Sequence, residues 1–319
     1  MDTKRIIEKI ENSTFKTTPF KHLEVFDLFA DSEFSRIVES NEITIHPAKD
    51  DKELFKALLD SGYRIIPFPG CVTDPDEYIE WHSSKRRVQK TKSSCEGFGV
   101  VLRLEVPASD AIVELNEFIS SERFVHCIAE KFEIVLEQCD YDCGIQKYVD
   151  GYEISPHPDV RKKALTYMVN INPGANSNET QIHTSYLEFK KEWRYVREYW
   201  EGRNDVDRCW VPWDWCNVVK QQTQNNSMIM FSPASDTMHA VKADYNHLEH
   251  QRTQLYGNLW YKWKDISIRP EWEDYIIKPR LRYTPKSRVR KLFDRLTNGL
   301  FDQEESQNSA THTKANIPR

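Results

Sequence analysis

Three side chains in the second half of the sequence have types and spacing suited to holding a metal ion. His157-Pro158-Asp159 places an imidazole and a carboxylate two residues apart, and residues i and i+2 of a strand point to the same face. His239, in the strand-like run Thr237-Met-His-Ala-Val, supplies a second imidazole. Two imidazoles and one carboxylate on one face of an octahedral Fe(II) ion leave three positions open for other ligands. The sequence therefore predicts an iron site at His157, Asp159 and His239.

A His-x-Asp pair alone is common by chance, but two neighbouring residues support the assignment. Arg252 begins the strand pattern that follows His239. A dicarboxylate that chelates the metal at one end leaves its other carboxylate free, and a guanidinium binds such a group with two parallel hydrogen bonds. Tyr148 precedes His157 on the adjoining strand pattern, where its phenol could donate to the same carboxylate. Alone, Arg252 would be interpreted as a surface residue of a strand.

Three other histidines are rival ligands. His183 follows Glu-Thr on a strand pattern and could point inward, so it is a reserve ligand or a residue behind the ligands. His247 and His250 lie in a polar segment, where solvent-facing positions are expected.

The elements around these residues change character along the chain. Apolar residues at helical spacing predict a helical lead-in over 28–138, with two consecutive helices in 109–138. From about 143 the period falls to two, which predicts short strands up to 262. Short strands after a helical lead-in favour one mainly β domain over 1–265, a jelly roll or cupin-like double-stranded β-helix with flanking helices.

Three segments depart from this pattern. Residues 184–226 form a polar insertion rich in Trp, which could be a small satellite core or a lid that stacks on a flat substrate. Residues 266–301 form a basic helical extension, of which 286–301 is amphipathic and could contact an anionic membrane or pack on the barrel. Residues 302–319 are rich in Gln, Ser, Asn and Thr, a composition typical of disorder.

Composition narrows the class of protein. The net charge of −6 gives no general attraction to nucleic acid. No apolar run approaches the ~20 residues that span a bilayer, and the polar start does not resemble a secretory signal. The 7 cysteines are scattered without paired spacing, so reduced thiols in the cytoplasm are expected. Membrane association through 286–301 is the alternative location.

Several runs resemble the prolyl-4-hydroxylase-like branch of the 2-oxoglutarate/Fe(II)-dependent oxygenases. The similarity covers about 143–262. It lies in these runs: Tyr148-Val-Asp-Gly-Tyr-Glu-Ile-Ser-Pro-His-Pro-Asp, Leu165-Thr-Tyr-Met-Val-Asn-Ile-Asn-Pro, Asn178-Glu-Thr-Gln-Ile, Phe231-Ser-Pro with His239-Ala-Val, and Arg252-x-x-Leu-x-Gly.

This resemblance implies Fe(II) on the three predicted ligands, with 2-oxoglutarate and O2 as co-substrates. It places the distal carboxylate of 2-oxoglutarate on Arg252 and a contact at Tyr148. It puts Asn170 where many relatives have a second co-substrate-binding Tyr. The chain departs from the family at Gln254, where many relatives have Ser, and in a longer interval between His239 and Arg252.

The activity implied is hydroxylation of an unactivated C–H bond with release of succinate and CO2. Peptidyl proline, a free amino acid, another small molecule and a saccharide all remain open as substrates. Two other functions are weighed against it. One is a non-catalytic β-barrel that binds glycans through the Trp-rich insertion. The other is a peripheral membrane oxygenase that acts on a lipid-linked sugar.

Overall fold

Two antiparallel β-sheets form the centre of the molecule in a computed structural model. The structure describes residues 1–263, apart from 69, 84–93, 95–96, 98 and 175. The strands of the described residues are β1 (Leu23–Phe26), β2 (Tyr63–Ile65), β3 (Val101–Leu104), β4 (Cys139–Tyr148), β5 (Glu153–His157), β6 (Lys163–Asn170), β7 (Thr184–Phe189), β8 (Cys216–Gln221), β9 (Ser227–Phe231), β10 (His239–Lys242) and β11 (Arg252–Tyr261). The helices are α1 (Thr3–Asn12), α2 (Asp31–Val38), α3 (Asp51–Asp60), α4 (Pro75–Ser83), α5 (Asp110–Ile119), α6 (Glu122–Lys131) and α7 (Arg194–Gly202).

The order of strands confirms the predicted double-stranded β-helix. The larger sheet runs β1-β9-β6-β11-β4-β3-β2, and the smaller runs β5-β10-β7-β8. From β4 onward the chain passes back and forth between the sheets, because β4, β6, β9 and β11 belong to the larger sheet and β5, β7, β8 and β10 to the smaller. Such alternation between two sheets is the topology of a jelly roll.

The flanking helices cover the larger sheet and bury its outer face. One apolar cluster combines residues of α1, α2, α5 and α6 with residues of β4, β6, β9 and β11. Polar side chains fix where the helices begin: Asp2 accepts from the Arg5 amide, Asp50 from the Glu53 amide and Ser121 from the Phe124 amide. The predicted pair of helices in 109–138 is confirmed as α5 and α6.

A close approach of side chain to backbone joins the two long central strands. Gly257 of β11 pairs with Tyr167 of β6, and a Cβ at 257 would lie 2.3 Å from Cε1 of that tyrosine. The tyrosine is fully buried, and its hydroxyl lies 2.6 Å from the Tyr141 hydroxyl. Glycine is therefore required here by space.

Two parts of the sequence analysis need correction. The helical lead-in predicted over 28–138 also contains two strands, β2 and β3. Sequence periodicity missed β2 and β3 because strands of three and four residues are too short to show a period. The predicted insertion 184–226 contains two strands of the smaller sheet, β7 at its start and β8 near its end, so only the stretch between them is inserted.

The inserted stretch forms a satellite core, one of its two predicted roles. Trp200 is fully buried, and the rings of Trp193 and Trp215 stack with centroids 4.0 Å apart. The six described cysteines form no disulfide. Among the described residues, no helix is long and apolar enough to cross a membrane. The predictions for 266–301 and 302–319, and the domain boundary at 265, lie outside the described residues.

Candidate metal and co-substrate site

The two predicted histidine ligands lie opposite each other on paired strands. His157 ends β5 and His239 begins β10, and the two residues are register partners with ring centroids 4.2 Å apart. Nδ1 of His157 lies 2.9 Å from the Ser155 carbonyl, and Nδ1 of His239 lies 2.9 Å from the Thr237 carbonyl. Since a carbonyl only accepts, each Nδ1 is the donor of its hydrogen bond, and each Nε2 is the ring atom that can face a metal ion.

Asp159 completes the group but not through strand alternation. β5 ends at His157, and Asp159 follows with a left-handed φ of 62°. Its Oδ1 lies 3.6 Å from His157 Nε2, and its Oδ2 lies 3.8 Å from His239 Nε2. The structure brings the three predicted residues together, whereas the shared strand face is wrong, because the chain turns after Pro158.

Two residues that the sequence analysis missed position this carboxylate. Lys163 Nζ donates to Oδ1 of Asp159 and Thr166 Oγ1 donates to Oδ2, each at 2.8 Å. Burial opposes ionisation of Asp159, but Lys163 and the two imidazoles outweigh it and hold its pKa well below the ordinary value. Burial and the neighbouring His157 lower the pKa of His239 to about 3. A charged carboxylate and neutral imidazoles are the donor set that suits Fe(II).

Arg252 lies in the same cavity with part of its guanidinium unsatisfied. It is 2% exposed, and its Nη2 donates to Thr184 Oγ1 at 3.0 Å and to Gln254 Oε1 at 2.8 Å. Its Nη1 is buried and finds no hydrogen-bond partner among the residues described. The ring of Tyr148, its register partner on β4, lies 4.2 Å from the guanidinium carbon. A buried donor without a partner is costly, and the distal carboxylate of 2-oxoglutarate would satisfy it.

Gln254, the departure from the family pattern, is a support for Arg252. Besides accepting from Arg252, it donates through Nε2 to Asn170 Oδ1 at 2.9 Å. Asn170 in turn donates to the Gln222 carbonyl at 2.7 Å. These contacts place Asn170 behind Gln254, outside the set of residues that line the cavity. Contact between Asn170 and 2-oxoglutarate stays a prediction.

One cavity of about 480 Å³ joins the metal group to Arg252 and Tyr148. Its walls come from the two sheets, from the residues before β3 and from the inserted stretch, which contributes Trp210. Many of the lining side chains are apolar, including Ile66, Phe68 and Val241. The volume lies within the range of small-molecule sites.

The rival histidines do not join this metal group. His183 is buried, with Nε2 3.2 Å from the Asn178 carbonyl. The solvent-facing position expected for His247 is wrong, because this residue is 1% exposed. The expectation failed because the partner of His247, Asp51, comes from a distant helix. His250 is half-buried.

Asp51, His82 and His247 form a second group whose polar atoms lie within 4.8 Å of one another. Hydrogen bonds among these side chains explain why they lie close together. His82 Nδ1 lies 2.6 Å from Asp51 Oδ2 and its Nε2 lies 3.0 Å from Asp150 Oδ2. His247 Nε2 lies 2.8 Å from Asp51 Oδ1, and its Nδ1 accepts from the Asp150 amide at 3.0 Å. With every ring nitrogen engaged, the group is a hydrogen-bonded cluster that joins α3 and α4 to the turn after β4.

Comparison with known proteins gives similarity to solved structures only. No protein-family model and no curated protein sequence matches the chain. The chain is similar to a prolyl hydroxylase from Trichoplax adhaerens, in complex with a hypoxia inducible factor peptide fragment, at 11% identity and a TM-score of 0.41, covering 82% of this chain and 89% of that one. A prolyl-4-hydroxylase from Pseudomonas putida is 9% identical, with a TM-score of 0.40 and coverage of 82% and 99%.

A third similar structure is an oxidoreductase of the 2OG-Fe(II) oxygenase family from Burkholderia pseudomallei. It is 12% identical, with a TM-score of 0.28 and coverage of 69% of this chain and 94% of that one. The superfamily and the branch that the sequence resembles are thus both represented among these solved structures.

Proposed function

We propose that this protein is an Fe(II)- and 2-oxoglutarate-dependent dioxygenase that hydroxylates a small organic substrate. One observation carries the proposal: a three-residue group suited to Fe(II) and a buried arginine with an unsatisfied Nη1 line the same cavity. Either feature alone would fit proteins of several unrelated functions. Together they match the two ends of a dicarboxylate that must bind both a metal ion and a cation.

Each residue has a defined task in this proposal. His157 and His239 present their Nε2 atoms, and Asp159 presents a carboxylate oxygen held by Lys163 and Thr166. Three protein ligands leave the remaining metal positions for co-substrates.

The rest of the cavity binds the co-substrate and keeps out water. Arg252 binds the distal carboxylate of 2-oxoglutarate, while the Tyr148 ring covers one face of the guanidinium and limits its hydration. With Fe(II) and 2-oxoglutarate bound, the site supplies O2 activation: a substrate C–H bond, O2 and 2-oxoglutarate give C–OH, succinate and CO2. The apolar walls hold the substrate near the metal and exclude water during that reaction.

Anaerobic absorption spectroscopy tests the metal and co-substrate assignment. Addition of Fe(II) and 2-oxoglutarate is expected to produce a weak visible charge-transfer band. His157→Ala should abolish the band while leaving the circular dichroism spectrum intact. His126→Ala, the same substitution on the exposed face of α6, should retain it. A band that persists in His157→Ala would contradict the assignment of His157 as a metal ligand.

Product analysis separates the enzyme from a non-catalytic binding module. The proposal predicts succinate formation that requires Fe(II), O2 and 2-oxoglutarate and falls in His157→Ala. The glycan-binding alternative predicts saturable sugar binding without succinate. The Trp rings that would form its platform pack against one another in the satellite core.

A further inference from the structure

Arg208, in the inserted stretch between α7 and β8, lines the cavity that holds the metal group. The residue is 5% exposed, and its buried Nε has no hydrogen-bond partner in the part of the chain that the structure describes. Among the described residues, no carboxylate lies within 4 Å of its guanidinium nitrogens, and the carboxylate of Asp207 accepts from its backbone amide instead. A buried guanidinium without partners is unfavourable in the protein alone.

The other cations near the cavity are already assigned. Lys163 donates to Asp159, and Arg103 pairs through Nη1 and Nη2 with the two oxygens of Asp142, although its Nε, like that of Arg208, finds no partner among the described residues. Arg161, which has only a structural role, donates to the carbonyls of Val206 and Arg203 and holds the inserted stretch against the residues after Asp159. Arg252 donates through Nη2 to two protein partners, and its Nη1 is assigned to 2-oxoglutarate. Arg208 is therefore the cation left over for another ligand.

The electrostatic surroundings keep Arg208 charged. Burial, followed by repulsion from Arg161, lowers its pKa to about 10, while Asp159, Asp207 and Asp236 oppose that change. A pKa near 10 leaves the guanidinium protonated at neutral pH. Arg208 and the metal ligand Asp159 line the same cavity.

We propose that Arg208 binds a carboxylate group of the substrate and thereby selects small monocarboxylates with an apolar body. The inference rests on the proposed oxygenase function, since it concerns the second ligand of the same cavity. One guanidinium matches the single charge of a carboxylate and its two oxygens, whereas a phosphate dianion would need a second free cation. The apolar cavity walls, including Cys209 and Trp210 beside Arg208, fit the rest of such a molecule.

Calorimetric titration of matched pairs tests this specificity. The probes are free aliphatic, aromatic and amino-acid monocarboxylates, each paired with its primary amide, titrated into the anaerobic protein loaded with Fe(II) and 2-oxoglutarate. At least one acid is expected to bind the wild type about tenfold or more tightly than its amide, since a charge-assisted contact contributes about 1.5 kcal/mol or more. Arg208→Gln should abolish that preference, and Arg208→Lys should retain part of it.

The matched control is Arg197→Gln, the same change at an exposed arginine of α7 paired with Glu201. It should leave the preference for the acid unchanged. Absence of any acid preference in the wild type, or its persistence in Arg208→Gln, would overturn the inference. So would an affinity for 2-oxoglutarate that falls in Arg208→Gln as much as in Arg252→Gln, because Arg208 would then belong to the co-substrate. A wild type without the charge-transfer band would instead refute the oxygenase assignment.

Discussion

His239 and His157 are register partners on adjacent antiparallel strands, with their ring centroids 4.2 Å apart. Backbone pairing of β10 with β5 therefore sets the separation of the two imidazoles, and a carbonyl on each Nδ1 sets their orientation. Asp159 lies beyond the end of β5. Its carboxylate depends on side-chain contacts, and the third ligand is thus the part of the metal group most sensitive to its neighbours.

Thr166→Val is expected to weaken Fe(II) binding about tenfold, the lower end of the usual effect of removing a partner of a metal ligand. The change keeps the shape of the side chain but removes the hydroxyl that donates to Asp159 Oδ2 at 2.8 Å. Anaerobic competition titration with a chelator measures the affinity. Thr166→Ser keeps a hydroxyl and should bind Fe(II) nearly as the wild type does. Equal affinity in Thr166→Val and the wild type would contradict the role of this contact.

Arg252→Gln is expected to weaken 2-oxoglutarate binding by about tenfold to a hundredfold, because a charge-assisted pair is replaced by a neutral contact. Binding of Fe(II) without 2-oxoglutarate should not change, since Arg252 contacts Thr184 and Gln254 but not the metal group. The affinity of Arg252→Lys for 2-oxoglutarate should lie between those of the wild type and Arg252→Gln, because an ammonium keeps the charge but cannot make two parallel hydrogen bonds. Calorimetry provides both affinities, and a loss of Fe(II) affinity alone would argue against the assignment.

The sequence predicted a site residue well where a chemically suitable residue type lies within a clear strand pattern. His157, His239 and Arg252 lie at strand ends in a region of period two, so both their chemistry and their approximate placement were predictable. Asp159 was identified from its type, although a turn and not strand alternation brings it to the metal group.

Residues placed by long-range packing could not be predicted in the same way. Arg208 lies in a stretch with no regular period, and its position depends on the hydrogen bonds that Arg161 makes to that stretch. His247 looks solvent-facing in its polar segment, but Asp51 binds it from the distant helix α3. Neither relationship leaves a local signal in the sequence.

Gly257→Ala is expected to destabilise the fold by about 1–3 kcal/mol, the usual cost of overpacking. The added Cβ would lie 2.3 Å from the buried ring of Tyr167, whose hydroxyl is itself fixed by Tyr141. Urea denaturation measures the free energy of unfolding. Gly202→Ala is the matched control, because no atom of the described ranges lies within 4 Å of a Cβ at that position. Equal stability of the two variants would mean that Tyr167 moves aside freely.

His82 is expected to make stability fall as the pH rises above neutrality. Burial favours its neutral form, but hydrogen bonds to Asp150 and Asp51 outweigh burial and raise its pKa to about 9, above the unfolded value of about 6.5. A raised folded pKa gives stability that is fully present below about pH 6.5 and is lost as the pH passes 9, on the order of 2–3 kcal/mol. His247, the remaining titratable member of the cluster, donates to Asp51 through Nε2.

The free energy of unfolding, measured between pH 6 and 10, checks this slope against a variant that lacks the titrating group. His82→Gln keeps polar contacts but cannot carry the charge, so its stability should be lower than that of the wild type at pH 6 and approach it as the pH rises to 10. His126→Gln, on the exposed face of α6, should follow the wild-type slope. Parallel curves for His82→Gln and the wild type would show that another group titrates. Because Asp150 lies in the turn between Tyr148 and β5, loss of the charge should also loosen the Tyr148 end of the co-substrate cavity.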